Sequence, residues 1–156
     1  MKNITKNPSC MSMAGLKTIE FLSVDDGISI YFTSSTSCSV VTQATFTTVD
    51  AENITLNAKL NDAGAFETVV TCDVFGTSVA IDNHLFLMAF LRFVLIVTDN
   101  NNVRFVVGNT NTPLHFAYEH IADASPGGEH KYKFTFSADT ELPPLKLDGI
   151  FDTLTV

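Results

Sequence analysis

The stretch Leu16–Thr33, LKTIEFLSVDDGISIYFT, decides the fold class. Leu16–Val24 alternates, with Leu16, Thr18, Glu20 and Leu22 on one side and Lys17, Ile19, Phe21 and Ser23 on the other. A repeat of two is the period of a strand. Asp25-Asp26-Gly27 interrupts the run, and Ile28–Thr33 resumes it with Ile28, Ile30 and Phe32 on one face. Asp-Gly between two alternating runs is a strong hairpin signal, because Gly takes the positive φ the turn needs. The two strands are therefore expected to pair.

Further along, Ser34–Ser39 reads as a Ser/Thr loop. Val40–Val49 and Asn53–Leu60 read as strands joined at Asp50-Ala51-Glu52, and Asn61-Asp62-Ala63-Gly64 as a turn into a long strand, Ala65–Phe75, ended by Gly76. Asp82 is placed to cap a short helix over Asn83–Leu91, with Leu85, Met88 and Ala89 on one side. Phe93–Thr98 is apolar on both faces, which predicts a buried central strand. Asp99–Asn102 turns the chain into Val103–Val107, since Asn tolerates left-handed φ. Leu114–Ile121 and His130–Ala138 are two more strands around the loop Ser125-Pro126-Gly127-Gly128, and Pro143-Pro144 breaks regular structure.

Many short strands with at most one short helix indicate a mainly β protein, an antiparallel β-sandwich or barrel. The organisation expected is a flexible arm over 1–15, a single β-sandwich domain over 16–138 and a C-terminal extension over 139–156. The apolar positions of that extension, Leu147, Ile150, Phe151 and Leu154, fit either a segment lying along a partner or a last strand folded onto its own domain.

Composition bounds the function classes. A chain of 156 residues with 46% hydrophobic residues and positive mean hydropathy buries a core and is not disordered. Thirteen Phe without a Trp, together with abundant Thr and Val, favour strands. Charged residues make up 17%, below the roughly 25% usual for soluble domains, which fits an exterior covered by neighbours. The net charge of −8 and the scattered basic residues argue against specific nucleic-acid binding, although an acidic lumen lets DNA pass without adhering. Met1–Gly15 lacks the apolar core of a secretory signal, and Leu85–Val97 is too short to span a membrane, so no membrane partner is expected.

No catalytic, cofactor-binding or metal-binding residue is expected. His115 and His120, five apart on one strand, project to opposite faces; His115 and Glu119 share a face as a two-ligand fragment without a third ligand. Cys10, Cys38 and Cys72 form no C-x-x-C pair, and whether Cys38 and Cys72 pair stays open. Cys72, in an alternating strand, reads as a buried inert thiol. The acids Asp25, Asp26, Asp50, Glu52, Asp62, Asp99 and Asp123 fall mainly at turns, where capping explains them. Gly127-Gly128 precedes a strand rather than a helix, so it reads as a turn and not a phosphate loop. The Asp99–Asn102 run lacks the spacing of a calcium loop and reads as a hairpin turn.

The phrases Phe93–Asn100, Val103–Asn109, Pro113–Phe116 and Tyr132–Ser137, closed by Pro143-Pro144, carry a resemblance. This half of the chain resembles small virion structural proteins of Bacteroidales phages and prophages, found among tail and head–tail genes. The resemblance implies a β-sandwich subunit without catalytic residues. Such a subunit assembles with copies of itself and other virion proteins into a ring or tube, in a tail tube or at the head–tail (neck) junction. It also implies a place in the virion, with assembly in the host bacterial cytoplasm. Val40–Val49, Val103–Val107 and His130–Ala138 are the candidate strand edges for such contacts. The alternatives are a sugar- or peptide-binding β-sandwich module, for which exposed aromatics are few, and an enzyme such as a cupin, which needs a His/Glu cluster.

Overall fold

A computed structural model of the chain describes residues 15–76, 79–122 and 130–151. In chain order the elements are β1 (Leu16–Ser23), a 3-10 turn (Val24–Asp26), β2 (Ile28–Phe32), β3 (Ser37–Thr42), β4 (Thr47–Val49), β5 (Glu52–Leu60) and β6 (Phe66–Phe75). Then come α1 (Val79–Met88), β7 (Arg92–Asp99), β8 (Arg104–Val107), β9 (Leu114–Ala122), β10 (His130–Thr140) and β11 (Leu145–Phe151). The mainly β class with one helix holds. The strands form one mixed sheet of eleven, ordered β2-β3-β11-β8-β7-β9-β10-β6-β5, with β1 on β7 and β4 on β1. The sheet does not close into a barrel. Every pair is antiparallel except β3 with β11, which run parallel.

β7 organises this sheet. Along one edge it pairs with β1 from Ser23 to Leu16, while Leu95–Thr98 pair with β8 and Arg92 and Phe93 pair with β9. Its side chains bury on both faces, as the apolar run FVLIV predicts. Phe93, Leu95 and Val97 join one core with Ile19, Phe116, Tyr132, Phe134 and Phe136. Val94 and Ile96 join a second core with Leu22, Ile28, Cys38, Val40, Val106, Leu145 and Leu147. The first core is knit by edge-on rings: Phe93 lies 5.9 Å from Phe136 and 6.2 Å from Phe116.

The hairpin expected between the first two strands does not form. Ser23 Oγ accepts from the Asp25 N–H, the Gly27 N–H donates to the Val24 carbonyl, and Gly27 sits at φ 78°. The turn is real, yet β7 and β4 already hold both edges of β1, so β2 pairs with β3 instead. Val40–Val49 is likewise not one strand. Thr42 Oγ1 donates to the Gly27 carbonyl and accepts from the Ala44 N–H, breaking the run into β3 and β4.

The expected turn at 61–64 does connect β5 to β6. Asn61 Oδ1 accepts from the Ala63 and Ala65 N–H groups, with Gly64 at φ 83°. Asp99 turns β7 into β8 in the same manner, its Oδ1 accepting from Asn101 and Val103, with Asn102 at φ 61°.

Two boundaries move. β10 runs on to Thr140, and β11 lies inside the sheet between β3 and β8, so residues 139–151 belong to the domain rather than to an extension. Burial of Leu145 and Leu147 in the second core is the physical reason. Of the two readings of the apolar tail, the strand folded onto its own domain holds as far as Phe151. Residues 1–14 of the expected arm, the 123–129 loop with Asp123 and Gly127-Gly128, and residues 152–156 lie outside the described residues. Among the described residues no helix is long and apolar enough to cross a membrane.

Candidate self-association surface

α1 sits over the first core and buries Leu85 and Met88 there. Asp82, expected to cap the helix, lies within its first turn and accepts a hydrogen bond from the hydroxyl of the fully buried Tyr132 on β10. The opposite side carries exposed apolar side chains beside the exposed Asn83 and His84. Phe86, Leu87 and Phe90 are 58%, 63% and 69% exposed, and the Phe86 and Phe90 rings meet edge-on at 5.3 Å. These three side chains leave on the order of 350 Å² of apolar surface in water, within the size range of the largest apolar patch on a typical monomer. Sequence reasoning gave this segment one apolar side. The missed signal was the LFLMAFL run at 85–91, apolar at every position.

A second exposed group lies where β2 and β11 flank β3. Tyr31 and Phe32 of β2 and Phe151 of β11 are each more than half exposed. The Phe151 ring rests over Gly149, where a Cβ would approach it to 3.1 Å.

Of the three segments nominated as edges, Val103–Val107 and His130–Ala138 fall on interior strands, while Val40–Val49 divides into the interior β3 and into β4, which pairs with β1 alone and is an edge. β3 lies between β2 and β11, β8 between β11 and β7, and β10 between β9 and β6. β3 and β10 carry a buried alternation on one face, whereas β8 buries Val106 and Val107 on opposite faces. The ends of the strand order are β2 and β5.

The residues weighed for chemistry stay apart. His115 and Glu119 share the outer face of β9, but four residues of strand separate them by about 13 Å. His115 stands opposite Ser137 and Glu119 opposite Lys133, while the His120 ring packs on Tyr132 at 4.9 Å. His115 also lines an open trough of about 390 Å³ with Glu67 and Asp139. Among the described residues no three His, Cys, Asp or Glu side chains converge to hold a metal ion. Cys38 and Cys72 are free thiols in different cores, which leaves them unpaired. Burial, reinforced by Asp148 and Asp73 respectively, pushes Cys38 up to about 11 and Cys72 up to about 12. A pocket of about 190 Å³ lies between α1 and β1, floored by Phe21, Met88, Leu91 and Phe93, with Asp26 and His84 among its polar lining.

These features define the molecule by architecture: a mainly β protein with an open, mixed sheet of eleven strands and one apolar helix. A scan against protein-family models, a search of curated proteins and a search of solved structures each return no match.

Proposed function

We propose that this chain is a non-enzymatic structural subunit that assembles with copies of itself into a ring or tube, as a tail-tube or head–tail component of a phage virion. The observation that carries the self-assembly is the α1 segment, which leaves Phe86 and Leu87 of the helix and Phe90 of the turn after it uncovered, while Leu85 and Met88 are already core. Water-exposed phenyl rings are stabilised when a second apolar surface removes them from water. The virion setting rests on the resemblance carried by Phe93–Asn100, Val103–Asn109, Pro113–Phe116 and Tyr132–Ser137. Its partners are then identical copies and neighbouring virion proteins, and the net charge of −8 suits a wall past which DNA slides.

Sedimentation velocity and negative-stain microscopy of the purified chain test the reading. Rings or tubes are expected, and Phe86→Ser with Phe90→Ser is expected to shift the distribution to smaller species while circular dichroism stays unchanged. A strict monomer at the highest attainable concentration refutes the self-assembling role.

One feature favours a second reading, a ligand-binding module for a sugar or peptide: the pocket of about 190 Å³ beside α1, with its aromatic floor and polar lining. Saturable micromolar binding of a glycan or peptide, lost on filling the pocket with Met88→Trp, is the result that selects it.

A further inference from the structure

β2 pairs with β3 alone and β5 with β6 alone, so each keeps one open edge. Which residues aim their backbone groups outward follows from the ladders. The Thr33 N–H donates to the Ser37 carbonyl, and the Asn61 N–H donates to the Ala65 carbonyl. In an antiparallel pair, hydrogen-bonded and non-bonded positions alternate. Counting back from those bonds, Tyr31 and Ser29 bond inward to β3, leaving Ile28, Ile30 and Phe32 facing out. Lys59, Asn57 and Thr55 likewise bond inward to β6, leaving Leu56, Ala58 and Leu60 facing out.

The same parity sorts the side chains. On β2 the outward set, Ile28, Ile30 and Phe32, lies on the apolar face shared with Cys38 and Val40, while Ser29 and Tyr31 lie on the other. On β5 the outward set lies on the face of Thr68 and Val70, while Thr55, Asn57 and Lys59 are exposed on the other. Joining the two edges therefore sets apolar side chains beside apolar ones and polar beside polar, with every outward N–H and C=O matched. A one-residue mismatch in either strand would have put the wrong faces together.

The β2 edge is unguarded, and the β5 edge only lightly so. Ile28–Phe32 contains no charge and no proline, and Thr55–Leu60 contains one charge, Lys59. The β5 irregularity between Glu52 and Thr55, where Asn53 takes φ 51°, confines regular pairing to Thr55–Leu60.

Charge disfavours pairing of β2 with itself. Self-pairing of β2 about a two-fold would bring Asp25-Asp26, at its start, toward Thr33 at the other copy's end, whose hydroxyl is bonded to Asp148. That sets acid beside acid in a chain of net charge −8. Antiparallel pairing of β2 with β5 brings Lys59 opposite Ser29, near the Asp25-Asp26 turn, but carries Asp62 opposite Asp26 as well, so the β2–β5 contact rests on the matched faces and backbone groups rather than on charge.

We infer that copies of this chain join head to tail through these edges, β2 of one lying antiparallel to β5 of the next, with Ile28 opposite Leu60, Ile30 opposite Ala58 and Phe32 opposite Leu56. The inference rests on the self-assembly reading and names its contact. Because the two edges differ, each added copy presents a fresh one, so the contact propagates until a ring closes or a filament grows.

Cross-linking between two variants tests it, both in a Cys10→Ser background. Tyr31→Cys and Asn57→Cys place thiols at exposed, directly opposed, non-hydrogen-bonded positions of the inferred pair, within disulfide reach. Under mild oxidation, disulfide dimer is expected in the mixture of the two variants and in neither alone. Dimer in the Tyr31→Cys sample alone, or in the Asn57→Cys sample alone, overturns the cross-pair in favour of a two-fold contact. Rings or tubes without cross-linking in the mixture overturn this contact and leave the self-assembly reading standing, whereas absence of any assembly removes both. In parallel, Ala58→Pro deletes an outward N–H without touching the β6 ladder, and is expected to abolish the assembled species with unchanged circular dichroism. Assembly undiminished by Ala58→Pro also overturns the inference.

Discussion

Phe136→Ala is the perturbation that most directly tests the packing of the two parts of the sheet against each other. Phe136 on β10 is fully buried, and its ring meets Phe116 at 5.0 Å, Phe93 at 5.9 Å and Phe21 at 6.3 Å. It therefore touches β9, β7 and β1 at once. Truncating a core phenylalanine costs about 3–5 kcal/mol, the upper end applying where neighbours cannot collapse into the space. Here the surrounding rings sit on three paired strands, so the upper half of that range is expected. With a urea slope of about 2 kcal/mol per molar, the midpoint should fall by roughly 2 M. The assay is urea unfolding by circular dichroism at dilute protein, with Phe86→Ala on the exposed side of α1 as a control expected to stay within about 0.5 kcal/mol. A cycle of Phe93→Leu and Phe136→Leu should add a coupling of about 0.5–1.5 kcal/mol for the edge-on pair. A midpoint drop below about 0.5 M for Phe136→Ala, roughly 1 kcal/mol, would refute the placement of this ring at the centre of the first core.

Three further outcomes follow from local geometry. Gly64→Ala should destabilise by about 1–2 kcal/mol for left-handed backbone alone. Gly108→Ala, at φ 81° and with a Cβ meeting Leu114 Cγ at 3.3 Å, should cost more by the same urea assay. Asp73 is held below the usual carboxylate range, first by the Asn53 side-chain amide at 3.0 Å and then by the Lys131 ammonium at 3.1 Å. A depressed folded pKa gives stabilisation that is present above the unfolded value, about pH 4, and lost as pH falls through the folded one. Asp73→Asn should accordingly flatten the acid limb of a stability–pH profile. In a Cys10→Ser background, Cys38 and Cys72 should resist iodoacetamide at mildly alkaline pH until urea unfolds the chain, as read by mass spectrometry.

Strand existence was legible where a residue's own neighbours decide it. The apolar run Phe93–Thr98 could only be a doubly buried strand, and Asn61–Gly64 and Asp99–Asn102 carried the side-chain acceptors and left-handed positions that their turns use. Partner choice was not legible, because it is settled by non-local burial. Asp25-Asp26-Gly27 fixed a turn, but the facing of Ile19 into one core and Leu22 and Ile28 into the other sent β2 to a different neighbour. The edges misread for the same reason. Alternation in β3 and β10 reports one buried face, and burial on both faces of β8 reports its core neighbours; neither says whether both backbone edges are paired. At the candidate surface, the exposed Phe86 and Phe90 rings were hidden in the apolar run 85–91, which looks like core until the sheet shows which side is covered.

The parallel pair ties folding to the proposed assembly. β3 bonds to β2 and β11 only, and β11 alone links that hairpin to β8 and the rest of the sheet. Around 110 residues of chain separate β3 from β11, so this pairing is the least local in the molecule and the slowest to be rewarded as the chain folds. Until Leu145 and Leu147 enter the second core, no strand ladder joins the β2–β3 hairpin to the remainder of the sheet, and only packing of Ile28 with Leu22, Val94 and Ile96 and the turn from β1 hold it there. The open edge of β2, the surface inferred to receive the next copy, is thus positioned by one of the last strands to be made. A chain folded only through β10 would carry the apolar helix and the β5 edge but no fixed acceptor for a neighbour. On the inferred contact, head-to-tail growth would begin only from subunits whose second core is complete, which would keep an uncharged edge from templating contacts on half-folded chains.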